Sequence, residues 1–171
     1  MDPVHFIYIN TREIFVLDWI KNWVSNRTTI HQGKELFASI EKGDRQGFRK
    51  ILDHIKAKTG LKECTKGMLG FCASEIQDPF YLETLLNMGV DPNIPDAAGI
   101  FPLHKAVENG KFEPVQILLE HGADPNVADP KGVTPLHISY SYDGLGDISD
   151  LLLAKGANPD QRDNIGKRYL M

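Results

Sequence analysis

The chain has 171 residues, 42% of them hydrophobic, 25% charged and 9% aromatic, with 19 basic and 23 acidic side chains and a net charge of −4. This is the composition of an ordinary globular protein long enough to bury a core without a staple, and it argues against intrinsic disorder, a collagen-like rod and a disulfide scaffold. There is no global basic excess to drive sequence-independent binding to a phosphate backbone, so nucleic acid is not an expected partner.

Met1-Asp2-Pro3-Val4-His5 carries no basic n-region, and the apolar run Ile14-Phe15-Val16-Leu17 is broken by Asp18. Neither a signal peptide nor a membrane span is expected. Asn10-Thr11-Arg12-Glu13 reads as a helix start, with Asn10 as cap and Glu13 reaching back. Phe15, Trp19 and Trp23 then recur every fourth residue, flanked by Val16, Ile20 and Val24. They form the apolar stripe of an amphipathic helix of roughly 14 residues. Two readings stay open. The helix caps the remainder of the chain, or it docks a second protein, since exposed tryptophan is a good anchor. Its polar face mixes Arg12 and Lys21 with Glu13 and Asp18, and so lacks the basic face of a membrane-surface helix.

Beyond this segment the chain repeats itself. Leu85-Leu86 before Gly89, Leu118-Leu119 before Gly122 and Leu152-Leu153 before Gly156 recur at intervals of 33 and 34. Gly99-Ile100-Phe101-Pro102-Leu103-His104 returns as Gly132-Val133-Thr134-Pro135-Leu136-His137. Gly89-Val90-Asp91-Pro92-Asn93 returns as Gly122-Ala123-Asp124-Pro125-Asn126 and, altered, as Gly156-Ala157-Asn158-Pro159-Asp160. Thr134 suits a helix N-cap and Pro135 the first helical position. Leu103, Ala106 and Val107 share one helical face, as do Val115, Leu118 and Leu119 on the next helix. Gly122 fits a left-handed helix end, and the Asp-Pro-Asn after it is turn chemistry. Each unit therefore reads as helix, turn, helix and extended loop. One unit cannot bury its own apolar face, so neighbours must stack.

The Gly-x-Thr-Pro-Leu-His and Leu-Leu-x-x-Gly-Ala-Asp-x-Asn strings resemble the signatures of the ankyrin-repeat family, strongly so over 82–166. The implied fold is all-α, a solenoid of stacked helix-turn-helix units with short hairpin loops. Upstream, Leu36, Gly43-Asp44, Phe48, Ile51 and Leu52 keep the phase. The unit near 64–93 has lost its Pro-Leu-His box but retains Ala73, Leu82, Leu85 and Leu86, with Asp78-Pro79 as cap and first-turn proline. The organisation expected is an N-terminal extension over 1–33, a repeat domain of about four units over 34–165 with the first two degenerate, and a truncated start of a further unit over 166–171. One extra residue falls within 138–143, where a bulged helix end would project tyrosines. The leucine-rich final helix, Asp147 to Lys155, is expected to be partly uncovered. The chain is then cut from a longer one, or the tail folds over, or a partner covers that helix.

Other motifs are weaker. Cys64 and Cys72 match no metal or redox spacing and read as free thiols, which fits a cytoplasmic location. His104 and His137 sit one repeat apart. The family resemblance implies that they hold neighbouring repeats by hydrogen bonding rather than bind metal. Ser39-Ile40-Glu41-Lys42 and Lys58-Thr59-Gly60 are similar to strings of serine acyl-transferases, but Ser39 is in phase with Ala106 and Ser139 at a small buried position. No phosphate loop, H-E-x-x-H or G-x-S-x-G occurs. Residues 42–66 hold eight bases against three acids, and residues 67–160 hold four bases against fourteen acids. This is either a solvated face or a steering field for an acidic partner at one end and a basic one at the other.

The resemblance implies a non-catalytic protein-binding scaffold, with no cofactor and no metal. The family's variable positions carry over to Ala97, Ala98, Ile100, Lys105, Glu108 and Asn109 in the third unit. In the fourth they are Pro130, Lys131, Val133, Ile138, Ser141 and Tyr142, followed by Asn164 and Ile165. Ile100, Val133 and Ile165 are expected to align as an apolar ridge. Phe15, Trp19 and Trp23 are a possible second contact in a two-partner adaptor. Arrays with short N-terminal extensions resemble both eukaryotic adaptors and proteins that intracellular bacteria deliver into host cells. An enzyme whose catalytic part lies beyond Met171 is a further alternative. The resemblance also implies that Asn93 and Asn126 occupy a position open to asparaginyl hydroxylation. The expected state is a monomer, or a weak dimer through the last helix.

Overall fold

The computed structural model describes residues 27–58 and 67–168, and all regular structure among them is helical. The stripe of Phe15, Trp19 and Trp23, the Thr59-Gly60 pair and Cys64 lie outside the described residues. The helices are α1 (Arg27–Glu41), α2 (Arg45–Lys58), α3 (Met68–Ser74), α4 (Pro79–Asn87), α5 (Pro102–Glu108), α6 (Phe112–Glu120), α7 (Pro135–Ser141) and α8 (Gly146–Ala154). They pack in sequential pairs. Helices α3, α5 and α7 form an inner row, and α2, α4, α6 and α8 an outer one. Helix α1 joins the inner side through Phe37, whose ring meets Phe71 at 5.4 Å. Its described part covers Arg27–Glu41, so position 34 lies within a helix.

The helix starts follow local chemistry. Thr134 accepts the His137 N–H while His137 Nδ1 accepts the Thr134 N–H, a complete capping box ahead of Pro135. Asp78 caps α4 by accepting from Phe80 N at 3.1 Å, with Pro79 behind it. Helix α3 has neither device. Its N-cap is Gly67, and no side chain caps it. It is instead buried along its whole length, Met68 to Ser74, so packing replaces the lost Pro-Leu-His box.

The leucines at repeat spacing make the core: Leu36, Leu52, Leu85, Leu103, Leu118 and Leu152 are all fully buried or within a percent of it. Ser39, Ala106 and Ser139 share the small buried position, and the Ser39 hydroxyl donates to Leu36 O at 2.6 Å. That hydroxyl is held inside the stack by a backbone bond, which is not the setting of a nucleophile.

The extra residue after His137 acts at the end of α7. Its C-cap, Tyr142, is extended at φ −123° and ψ 131°, whereas the equivalent Asn109 stays near the helical region. Projection of the tyrosines holds for one of the two. Tyr142 is 52% exposed, while Tyr140 is half-buried against the core. The final helix is partly uncovered: Leu152 is buried, and Leu151 and Leu153 are half-buried.

Gly122 ends α6 at φ +86°, a conformation that is costly for any residue with a Cβ. Gly132, at φ +78°, is tighter still, because a Cβ there would lie 2.6 Å from Asn164 Oδ1 and 2.7 Å from Asn164 N. Gly89, at φ +89°, has open space around it. Gly89→Ala is therefore expected to cost about 1–2 kcal/mol, the left-handed penalty alone. Gly132→Ala should cost more than Gly89→Ala in urea unfolding, and equal losses would show that the two loops are not in contact.

Candidate functional site

Three aspartates build three nearly identical loop tips between the outer helix of one unit and the next inner position. Asp96 accepts from Ala98 N and Ile100 N, while Asp96 N donates to Ile100 O. Asp129 does the same with Lys131 and Val133, and Asp163 with Ile165 and Lys167. A short carboxylate that gathers two backbone N–H groups fixes the turn without regular strand structure.

This pattern corrects the expected ridge. Ile100 and Val133 each sit four residues after the turn aspartate, and the residue in that place in the last loop is Lys167. Ile165 is instead equivalent to Ala98 and Lys131, at the outer tip. The last interval is 34, not 32, because of the residue inserted after His137. Ile100 and Val133 are half-buried, and Ile165 is 85% exposed. The tips are thus Ala97-Ala98, Pro130-Lys131 and Asn164-Ile165, and these side chains are exposed.

On the inner helices the remaining positions divide. Lys105 is drawn inward, its ammonium 2.8 Å from Asp96 with both side chains largely covered. Burial alone would raise the Asp96 carboxyl. The Lys105 ammonium and the N–H groups of Ile100 and Ala98 outweigh it and hold the group below its ordinary 3.8. Glu108 and Asn109 are exposed, and the Asn109 amide donates to Lys105 O. Ile138 is half-buried against the core, Ser141 is exposed with its hydroxyl on His137 O, and Tyr142 projects.

The two histidines in repeat phase join neighbouring units. His104 Nε2–H donates to Val133 O at 2.8 Å, and His137 Nε2–H to Gln161 O at 2.9 Å. Since a carbonyl only accepts, both rings carry the proton on Nε2. The Nδ1 of His137 accepts the Thr134 N–H, but that of His104 is buried without a hydrogen-bond partner.

Asn93 and Asn126, which the family resemblance marks only as modification positions, are inter-loop ties. Asn93 donates to Gly122 O and accepts from Asp124 N, and Asn126 repeats this with Gly156 O and Asn158 N. Their 33-residue spacing is the signal the sequence offers for this role. Among the described residues no group of three or more His, Cys, Asp and Glu is placed to hold a metal ion, and no helix is long and apolar enough to cross a membrane. Burial pushes the Cys72 thiol up to about 12, so it is protonated at neutral pH.

The basic residues of the first unit cross onto the second. Arg45 makes two 2.9 Å bonds to Asp78, and its guanidinium lies 4.9 Å from the Phe80 ring centre, with Arg49 at 5.3 Å. Lys56 Nζ donates to Met88 O. This part of the positive end binds the stack together rather than facing only solvent.

A family model described as ankyrin repeats, three copies, matches residues 69–163. No curated protein matches the chain at a significant level.

Burial holds the His104 imidazole below its ordinary 6.5, against the opposing pull of the Val133 carbonyl and of Asp129, Glu108 and Asp96. The unfolded chain therefore takes up this proton first as pH falls. Stability is expected to drop as pH falls below about 6.5, and to stop dropping on this account below the folded value. Denaturant unfolding between pH 7.5 and 5 checks this: His104→Gln should flatten the slope relative to the parent chain, and an identical slope would remove His104 as its source.

Proposed function

The chain belongs to the ankyrin-repeat family, and from that premise we propose that it is a non-catalytic scaffold that grips a partner protein with its loop tips and the exposed edge of its inner helices. Ankyrin repeats are in general protein-interaction modules. The observation that carries the finer reading is the pair of exposed large apolar side chains on this side: Ile165 at the last tip and Tyr142 at the end of α7. Each stands out of a rigid, bonded frame, Ile165 on the Asp163 turn and Tyr142 on a capped helix. Pre-ordered apolar anchors of this kind lose little entropy on binding.

The proposed surface also takes in Ala97, Ala98, Glu108, Asn109, Pro130, Lys131, Ser141 and Asn164, all exposed. Ile100, Val133, Lys105 and Ile138 support it from partly buried positions. The apolar stripe of Phe15, Trp19 and Trp23 is a second proposed contact, of the kind a two-partner adaptor would use.

A pull-down from cytosolic lysate read by mass spectrometry tests the first contact. The bait is the full chain beside a variant carrying Lys131→Glu, Tyr142→Ala and Ile165→Glu, with both checked for folding by circular dichroism. Partner recovery is expected to fall at least about tenfold in the variant, as loss of an anchor pair gives. Equal recovery by both baits would move the contact elsewhere.

A further inference from the structure

The short turns lie at the opposite end of the helices from the loop tips, and they differ from one junction to the next. At the last junction Leu145, just before α8, fills the gap, with Cδ2 3.2 Å from where a Cβ on Gly110 would stand. At the first, the equivalent Asp78 turns to Arg45, which leaves a cleft beside Gly43 on the inner side. At the middle one Lys111 crosses and donates from Nζ to Ile76 O at 3.3 Å, and a cleft of about 200 Å³ remains on the outer side. Ile76, Pro79, Leu82 and Pro114 give this outer cleft apolar walls, and Phe112 lines it while 44% exposed. Among the described residues Phe112 is the one large apolar side chain exposed away from the tips and the end of α7.

The charge of the outer row reverses along the stack. Helix α2 exposes Arg45, Arg49, Lys50 and Lys56 against Asp53, whereas α6 and α8 carry Glu113, Glu120, Asp147 and Asp150 and no lysine or arginine. The reversal is in register. Gly43 and Gly144 are the turn glycines of the first and last units, at φ +66° and +87°. One residue before them stand Lys42 and Asp143, and six after them Arg49 and Asp150, all four exposed. At the second of these positions the middle units carry Glu83 and Gln116. A row that reads plus, minus, neutral, minus complements its own copy run in the opposite direction. First against last is plus on minus, and second against third is minus on neutral, so no like charges meet.

We infer that the outer row docks antiparallel on the outer row of a second copy, as a two-fold dimer. In such a contact every residue pair occurs twice, and the axis passes through the middle junction. The outer cleft lies at that junction, so Phe112 of each copy enters the cleft of the other. Arg49 then faces the second copy's Asp150, and Lys42 its Asp143, at both ends. The charge pairs set direction and register, and the phenylalanines supply buried apolar area. The contact goes beyond the tip surface proposed above and does not use it. The tips stay open at the other end of the helices, so the dimer presents two gripping surfaces. That raises the avidity for a partner carrying two copies of the recognised segment.

Sedimentation equilibrium of the full chain, at up to about 1 mM, is the test. At about 0.05 M NaCl the mass is expected to rise with concentration to twice that of the monomer and no further. At about 1 M NaCl, where the screening length falls to about 3 Å, the dimer should weaken. Arg49→Asp and Asp150→Arg should each raise the dissociation constant at least about fivefold. The double variant should return it to within about twofold of the parent, because the pair is restored with its signs exchanged. Lys42→Asp with Asp143→Lys repeats the exchange away from the Phe80 ring, which Arg49 also meets. Phe112→Ala should raise the constant about tenfold or more. Lys131→Glu, at a tip, should leave it unchanged. Circular dichroism checks that each variant is folded. A chain that stays monomeric at low salt, a mass that climbs past the dimer, single charge variants that their doubles do not rescue, or an unchanged constant in Phe112→Ala would overturn the inference. The tip contact is read separately by the pull-down and stands or falls on its own.

Discussion

A seven-residue helix is not stable alone in water, because nucleating it fixes more backbone than its few hydrogen bonds offset. Helices α3, α5 and α7 are each that short. They exist because each lies between two others, and every feature of the chain serves that lateral contact. Fully buried leucines supply the apolar area. Histidines and asparagines then satisfy, across the junctions, polar groups that a single unit would leave unpaired. Stability of this kind is close to a sum over neighbours, so the junctions rather than the units are the objects to compare.

The ties are concentrated on the loop side. Each tip is set by an aspartate turn, and each tip is anchored to the next by an asparagine or by a close approach such as Gly132 to Asn164. A row of loops held to each other can present side chains in fixed positions while remaining outside the core. Order without burial is the physical requirement of a recognition surface, and the tips meet it. They differ in what they present, from Ala98 to Lys131 to Ile165, on one unchanging frame.

The all-α stacked fold was legible because its determinants are local and repeated: leucine pairs, terminating glycines, and Pro-Leu-His boxes at 33 or 34 residues. Burial of Ser39, Ala106 and Ser139 at one position followed from the same phase. The ridge was not legible, because the last interval absorbs the residue inserted after His137. Counting from Val133 reaches Ile165, whereas the turn aspartates 96, 129 and 163 lead to Lys167. Those aspartates stand in the sequence at the right spacing, but an aspartate in a loop carries no signal until its backbone partners are known. Lys105 shows the same limit. Its place on the inner helix was readable, but its pairing with Asp96, which removes it from the free surface, depended on loop geometry.

The open junction between the first two units was not legible at all, since it consists of what a residue fails to do. The short-turn position is lysine at one junction, leucine at another and aspartate at the first. A lysine there reaches a carbonyl, and a leucine fills space. An aspartate does neither across the same gap, because it is short and accepts rather than donates. It is engaged instead at the start of α4, where it caps the helix and takes both bonds of Arg45. One residue thus fastens the first unit to the second on the outer row and leaves the inner edge of the same junction unfilled. The Tyr81 hydroxyl is buried without a hydrogen-bond partner, a cost the stack carries. The degenerate units are therefore not simply worn copies of the later ones. They join by a different set of contacts, and the difference leaves a polar-edged cleft beside Gly43.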